Sequence, residues 1–126
     1  MTKPLGIIIG PGEGLGRALA AKFAGQGFDL ALVSRSEKNC AHAIEAVEEN
    51  SGTARFFSAD VTQPHTVESA VADIFREMGE VRLLIYNVRG RFDSCMPLDM
   101  TYEALEKTYQ EEAVSYTHLT LPTILL

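Results

Sequence analysis

Gly10, Gly12, Gly14 and Gly16 occupy alternate positions in "IIIGPGEGLGRALA", residues 7–20. They lie between a short apolar run and residues at helical spacing. A helix N-terminus offers unpaired N–H groups and a partial positive charge. Glycines ahead of it permit φ > 0 and let an anion come close to the backbone. The chemistry such a loop serves is capture of a phosphate-like group. Arg35, at the end of the next apolar run, is a second candidate, because a guanidinium makes charge-assisted bonds to phosphate. Metal chemistry finds no support. His42 sits on a helix among Ala and Glu, His65 falls in a helix's first turn, and neither has a second ligand at metal spacing. Both read as surface residues. Cys40 and Cys95 form no CxxC and no spaced ligand set, so they read as ordinary thiols in a reducing compartment.

The elements that must position these residues follow from periodicity. Leu5 to Ile9 is wholly apolar and ended by glycine, which predicts a central parallel strand covered on both faces. Leu15, Ala18, Leu19 and Phe23 recur at helical spacing, with Gly25 and Gly27 as the stop. Leu30 to Val33 is a second buried strand. Ser36 is the expected N-cap of a helix with Cys40, Ala43, Ile44 and Val47 on one face, closed by Asn50, Ser51 and Gly52. Arg55 to Ser58 reads as a third strand. Pro64 suits the first turn of a helix whose stripe is Val67, Ala70, Val71, Ile74, Phe75 and Met78. Val81 to Tyr86 is a fourth strand, followed by a polar loop from Asn87 to Asp93 and a helix beginning near Thr101. The order βαβαβαβα predicts an α/β fold, a doubly wound parallel sheet of Rossmann type with right-handed crossovers.

Bulk properties narrow the partners. With 126 residues, 46% of them hydrophobic, the chain has the length of one modest domain and can bury a real core. A net charge of −6 and the lack of a long Lys/Arg run argue against nucleic acid or an anionic membrane. No segment approaches the ~20 apolar residues of a membrane span. Leu5 to Ile9 is too short for a signal peptide's apolar region. The cytoplasm is the expected location.

Glycine loops of three kinds compete for this spacing. A Walker loop needs Lys-Ser or Lys-Thr after its last glycine, and none follows. The fingerprint GxGxxG fails in register, since its third glycine would fall on Leu15 or Arg17. Gly10-x-x-x-Gly14-x-Gly16 fits, and here the sequence resembles the short-chain dehydrogenase/reductase family, whose motif is GxxxGxG after an N-terminal strand. "SADVT", residues 58–62, resembles the family's strand-three ending. There Asp60 would accept a bond from the adenine amino group and Val61 would pack on the ring. "LLIYNVRG", residues 83–90, resembles the family's NNAG in degenerate form. Asn87 matches its second Asn, while Tyr86, Val88 and Arg89 replace its other residues and Gly90 is displaced by one. A helix-cap or turn role for Asp60 stays open. So does an S-adenosylmethionine-dependent methyltransferase, because "GPGEG" matches its GxGxG, although Ile8 and Ser34-Arg35 stand where that class carries acids.

The resemblance covers residues 4 to about 113. It implies that Gly10, Gly14, Leu15, Gly16, Ser34, Arg35, Asp60, Val61 and Asn87 hold a nicotinamide dinucleotide. NAD calls for an acid at the end of strand two, and NADP for a cation. Ser34 takes the acid's place and Arg35 follows, which favours NADP over NAD. Glu13 pulls the other way, because many NADP-preferring members carry a basic residue just before the second glycine, although Arg17 could compensate.

The family's catalytic Tyr-x-x-x-Lys is missing. Residues four beyond Tyr86, Tyr102, Tyr109 and Tyr116 are Gly90, Glu106, Ala113 and Thr120, and Lys107 is off the required helical face. An ungapped comparison puts Glu112 where the family places an Asn.

"VSYTHLTLPT", residues 114–123, resembles the in-frame translation of a transposase adapter used in sequencing libraries. The expectation is a partial dinucleotide-binding domain over 1–113, with strands in the order 3-2-1-4, and a non-native read-through tail over 114–126. Such a chain would expose an apolar strand edge at Val81 to Tyr86 and would be poorly soluble and inactive. Its parent would transfer hydride between NADP(H) and a small carbonyl or alcohol substrate, as a homo-oligomer. A non-catalytic dinucleotide sensor on the same fold is the other reading.

Overall fold

The computed structural model describes residues 3–88 and 97–114. The chain divides into two units, Met1–Asn87 and Val88–Leu126. Arg89, Gly90, Cys95 and residues 115–126 of the proposed tail lie outside the described residues.

In the first unit, β1 (Leu5–Ile9), β2 (Asp29–Ser34), β3 (Ala54–Ser58) and β4 (Val81–Tyr86) form one parallel sheet in the order β3-β2-β1-β4. This is the predicted order. Every residue of β1 is buried, as its unbroken apolar run requires of a strand covered on both faces. Ile8, Leu30 and Leu32 pack with Ala20 and Ala24 of α1 (Leu15–Gly25) and with Ala43 and Val47 of α2 (Ala41–Glu49). Strand alternation sends Ile7, Ile9, Ala31 and Val33 to the opposite face, where all four are buried. Small residues on α1 let it lie close to the strands. The pairing of β1 with β4 shifts between Leu5 and Gly6, so Arg82 is passed over in the ladder and stays exposed.

Several local expectations change in detail. Ser36 does cap a helical element, yet its side chain makes no capping bond. It precedes a 3₁₀ turn, Glu37–Cys40, and α2 proper begins at Ala41. After α2 the left-handed residue is Ser51, with φ 62°, rather than a glycine. Pro64 opens α3 (Pro64–Met78) as expected, and Val67, Ala70 and Ile74 are its buried residues. Phe75 belongs to the same stripe by spacing but is 52% exposed, so the buried face of α3 is narrower than the apolar one.

The second unit contains a 3₁₀ turn, Pro97–Asp99, then α4 (Tyr102–Tyr109) and a π-type turn, Gln110–Val114. Thr101 caps α4, its hydroxyl accepting from the Ala104 N–H at 3.1 Å. Tyr102, Leu105 and Tyr109 are exposed.

One contact sets how α1 meets the loop before it. A Cβ built on Gly16 would sit 2.7 Å from Pro11 Cα and 2.9 Å from its carbonyl carbon. Pro11 is itself buried, so neither backbone can move aside cheaply. Gly16→Ala is therefore expected to cost about 1–3 kcal/mol in urea unfolding. Gly12→Ala, where nothing lies within 4 Å of the added carbon, should stay within about 0.5 kcal/mol.

Cys40 is fully buried, and burial, helped by the charge of Glu37 and opposed by a bond to Ser34, pushes its thiol up to about 11. The folded chain should resist iodoacetamide at Cys40 at pH 8 and react once denatured, as read by mass spectrometry. The unfolded chain loses this proton first, from an ordinary 9.0. Stability should thus fall between pH 9 and about 11, and Cys40→Ala should flatten that decline.

Candidate functional site

The carboxyl ends of four parallel strands gather the residues singled out above. β1 runs into Gly10, whose φ of 81° is the left-handed conformation that glycine tolerates. Its N–H donates to the Val33 carbonyl at 2.9 Å, and its own carbonyl accepts from Asn87 Nδ2 at 3.1 Å. Asn87 also donates its N–H to the Ile9 carbonyl at 2.8 Å. The glycine loop is thus tied to β2 on one side and to the end of β4 on the other. β1 lies where the strand order reverses, the crevice at which open α/β sheets bind ligands.

Beyond buried Pro11 the loop is exposed from Gly12 to Leu15. Positions 12 and 14 have open space where a side chain would otherwise be. α1 starts at Leu15 with Gly14 as its N-cap, no side-chain cap and no acidic residue in its first turn. Its positive end stays available to an anion beside the bare backbone of the loop, and a pyrophosphate fits that arrangement. Leu15 is 63% exposed at this position, whereas Gly16 is packed against Pro11.

At the end of β2 the Ser34 hydroxyl accepts from Asn39 Nδ2 at 3.2 Å. Arg35 follows with an exposed side chain that makes no ion pair among the described residues. Its backbone is held instead, since the Arg35 carbonyl accepts from the Ser58 hydroxyl at 3.3 Å. The end of β3 stays joined to the end of β2 through the Ala59 N–H, which donates to the Ser34 carbonyl at 3.0 Å.

Asp60 is half-buried and has a turn role. Its Oδ1 accepts from the Thr62 N–H at 2.9 Å and the Thr62 hydroxyl at 2.6 Å. Its N–H donates to the Thr66 hydroxyl at 2.9 Å, across the start of α3. These bonds hold Asp60 and half-buried Val61 rigidly at the sheet's edge.

Two contacts lay outside the reading of the sequence. Asn39 on Ser34 joins residues five apart within a loop, where no periodicity marks the partner. His42, which the sequence alone presents as a surface residue, meets Glu13 with Nε2 3.1 Å from Oε1. That pairing joins the glycine loop to α2. Glu112, the position compared with the family's Asn, has a side chain outside the described residues. Among the described residues no helix is long and apolar enough to cross a membrane, and no group of His, Cys, Asp and Glu could hold a metal ion.

Comparison with known proteins agrees with this geometry. The chain is 30% identical over 118 residues to the NADPH-dependent reductase BacG of Bacillus subtilis, covering 86% of this chain and 44% of that protein. In structure it resembles 3-oxoacyl-(acyl-carrier protein) reductase from Brucella melitensis in complex with NAD, with a TM-score of 0.86 and 21% identity over 99% of this chain and 49% of the other. It also resembles L-sorbose reductase from Gluconobacter frateurii complexed with NADPH and L-sorbose, with a TM-score of 0.81 and 21% identity over 95% of this chain and 46% of the other. The chain spans about half the length of such proteins. The methyltransferase reading gains nothing from them. The profile of the short chain dehydrogenase family matches residues 6–124, and with it the chain is placed as a member of that family.

Proposed function

We propose that this chain holds the adenosine and pyrophosphate half-site of an NADP-dependent oxidoreductase. The observation that carries the cofactor choice is the end of β2. A hydroxyl, Ser34, stands where an NAD ribose would need a carboxylate, and the exposed Arg35 guanidinium next to it makes no ion pair among the described residues. NADPH in the name of the B. subtilis protein, and NADPH bound in the G. frateurii structure, support the same choice, while the B. melitensis structure contains NAD.

When bound, the nicotinamide supplies or accepts a hydride. This chain's residues bind and orient. Gly10, Gly14, Leu15 and Gly16 receive the pyrophosphate at the start of α1. Ser34 and Arg35 take the ribose side, Asp60 and Val61 the adenine, and Asn87 locks the end of β4 to the glycine loop. The general acid and the parent's carbonyl or alcohol substrate site are assigned to chain beyond residue 113, and the parent is read as a homo-oligomer. Residues 114–126 are read as a non-native tail, on their agreement with the adapter translation. The cytoplasm is the proposed location.

NADPH and NADH fluorescence titrations test the cofactor choice. Arg35→Ala should weaken NADPH by about tenfold or more, the scale of a lost charged hydrogen bond, with NADH nearly unchanged. Equal losses for both would remove the phosphate role of Arg35. Sequencing the source locus past the codon for Ala113 tests the rest. A frame continuing into a Tyr-x-x-x-Lys is expected, and a natural frame without that pair would leave a dinucleotide sensor.

A further inference from the structure

Glu13 lies at the exposed apex of the glycine loop, between Gly12 and Gly14, with a side chain 81% exposed. It is the one acidic residue in the loop that leads to α1's positive end. An unrestrained carboxylate here can swing over the crevice at the ends of β1 and β2, where Ser34 and Arg35 lie. Its charge opposes a ribose 2′-phosphate and leaves a ribose hydroxyl almost untouched. His42, in the first turn of α2, meets that carboxylate with Nε2 3.1 Å from Oε1. The glycine loop is tied to the end of β2 through Gly10 and Val33, and α2 follows Ser34 and Arg35 through the 3₁₀ turn.

From this arrangement we infer that His42 is a positioning residue for cofactor choice: it holds the Glu13 carboxylate against α2, away from the place of the 2′-phosphate, and so lowers the penalty Glu13 imposes on NADP. The inference rests on the NADP reading above. Both side chains are well exposed, so the pair is weak by itself and its effect on discrimination is a matter of a few-fold. The other charged residues on α1, α2 and the connection between β2 and α2 are Arg17, Lys22, Arg35, Glu37, Lys38, Glu45, Glu48 and Glu49, and none of them appears in the pair.

The readout is the ratio of dissociation constants for NADPH and NADH, measured by fluorescence titration of the 126-residue chain. His42→Ala should raise that ratio about three- to fivefold through NADPH alone. Glu13→Gln should lower it, and adding His42→Ala to Glu13→Gln should then change nothing. A merely structural role for His42 would move both cofactors together. An unchanged ratio in His42→Ala overturns the inference. So does an equal rise in the Glu13→Gln background, which would mean that His42 touches the phosphate itself. The NADP reading fails separately, if Arg35→Ala leaves the ratio where it was. Because His42→Ala and Glu13→Gln are read as changes in the ratio, they remain decisive whichever cofactor the unmodified chain prefers.

Discussion

The backbone of Gly10 joins the sheet to the site. Its N–H is held by the Val33 carbonyl and its carbonyl by the Asn87 side chain, so β2, β1 and the end of β4 meet at one residue. The chain leaves β1 there with a φ of 81°, a conformation that glycine adopts readily, and both bonds are made in it. From that point the path is forced. Pro11 is buried, Gly16 packs on it with no room for a Cβ, and α1 therefore starts close to the loop. The open positions 12 and 14 lie between those two anchors. Rigidity at the ends of the loop and bare backbone in its middle are what an anion cradle needs.

Electrostatics then divides the labour along the sheet edge. The start of α1 has no capping side chain and no acid in its first turn, so its partial charge is not consumed internally. Arg35 presents a full charge at the end of β2, its backbone fixed by Ser58 and its side chain left to solvent. The nearby acid, Glu13, is tied to His42. Asp60 has Oδ1 committed to Thr62, which makes it a rigid part of the turn before α3 as well as a candidate for adenine. The turn role and the binding role are compatible, because a carboxylate has acceptor capacity beyond two bonds at one oxygen.

Family membership does not remove the departures of this sequence from the family's usual residues. Tyr86 precedes Asn87 where the resemblance would have another Asn, and the Asn87 side chain bridges from the end of β4 to the loop. That bridge needs one amide, at the position after the strand's last residue. The edge strand β4 is paired on one side by β1 among the described residues and its residues from Leu83 to Tyr86 are half-buried, in contrast to the fully buried β1. A sheet that continued past β4 would bury them further.

Period and punctuation in the sequence determined the strands, the helices and their order. An unbroken apolar run of five residues ended by glycine marks a strand covered on both faces, and β1 begins and ends where that run does, while β4 follows a mostly apolar run interrupted by exposed Arg82. The alternation of strand and helix determined a parallel sheet, and the spacing of three glycines determined which loop follows β1. Contacts between residues far apart in sequence were decided by the tertiary structure. The bond from Asn87 to Gly10, the pairing of His42 with Glu13 and the exposure of Phe75 on an otherwise regular stripe all depend on which surfaces the fold brings together. Periodicity reports which face of an element is apolar, but how much of that face is covered, and which polar side chains meet across a crevice, depends on the packing of elements the local sequence does not encode.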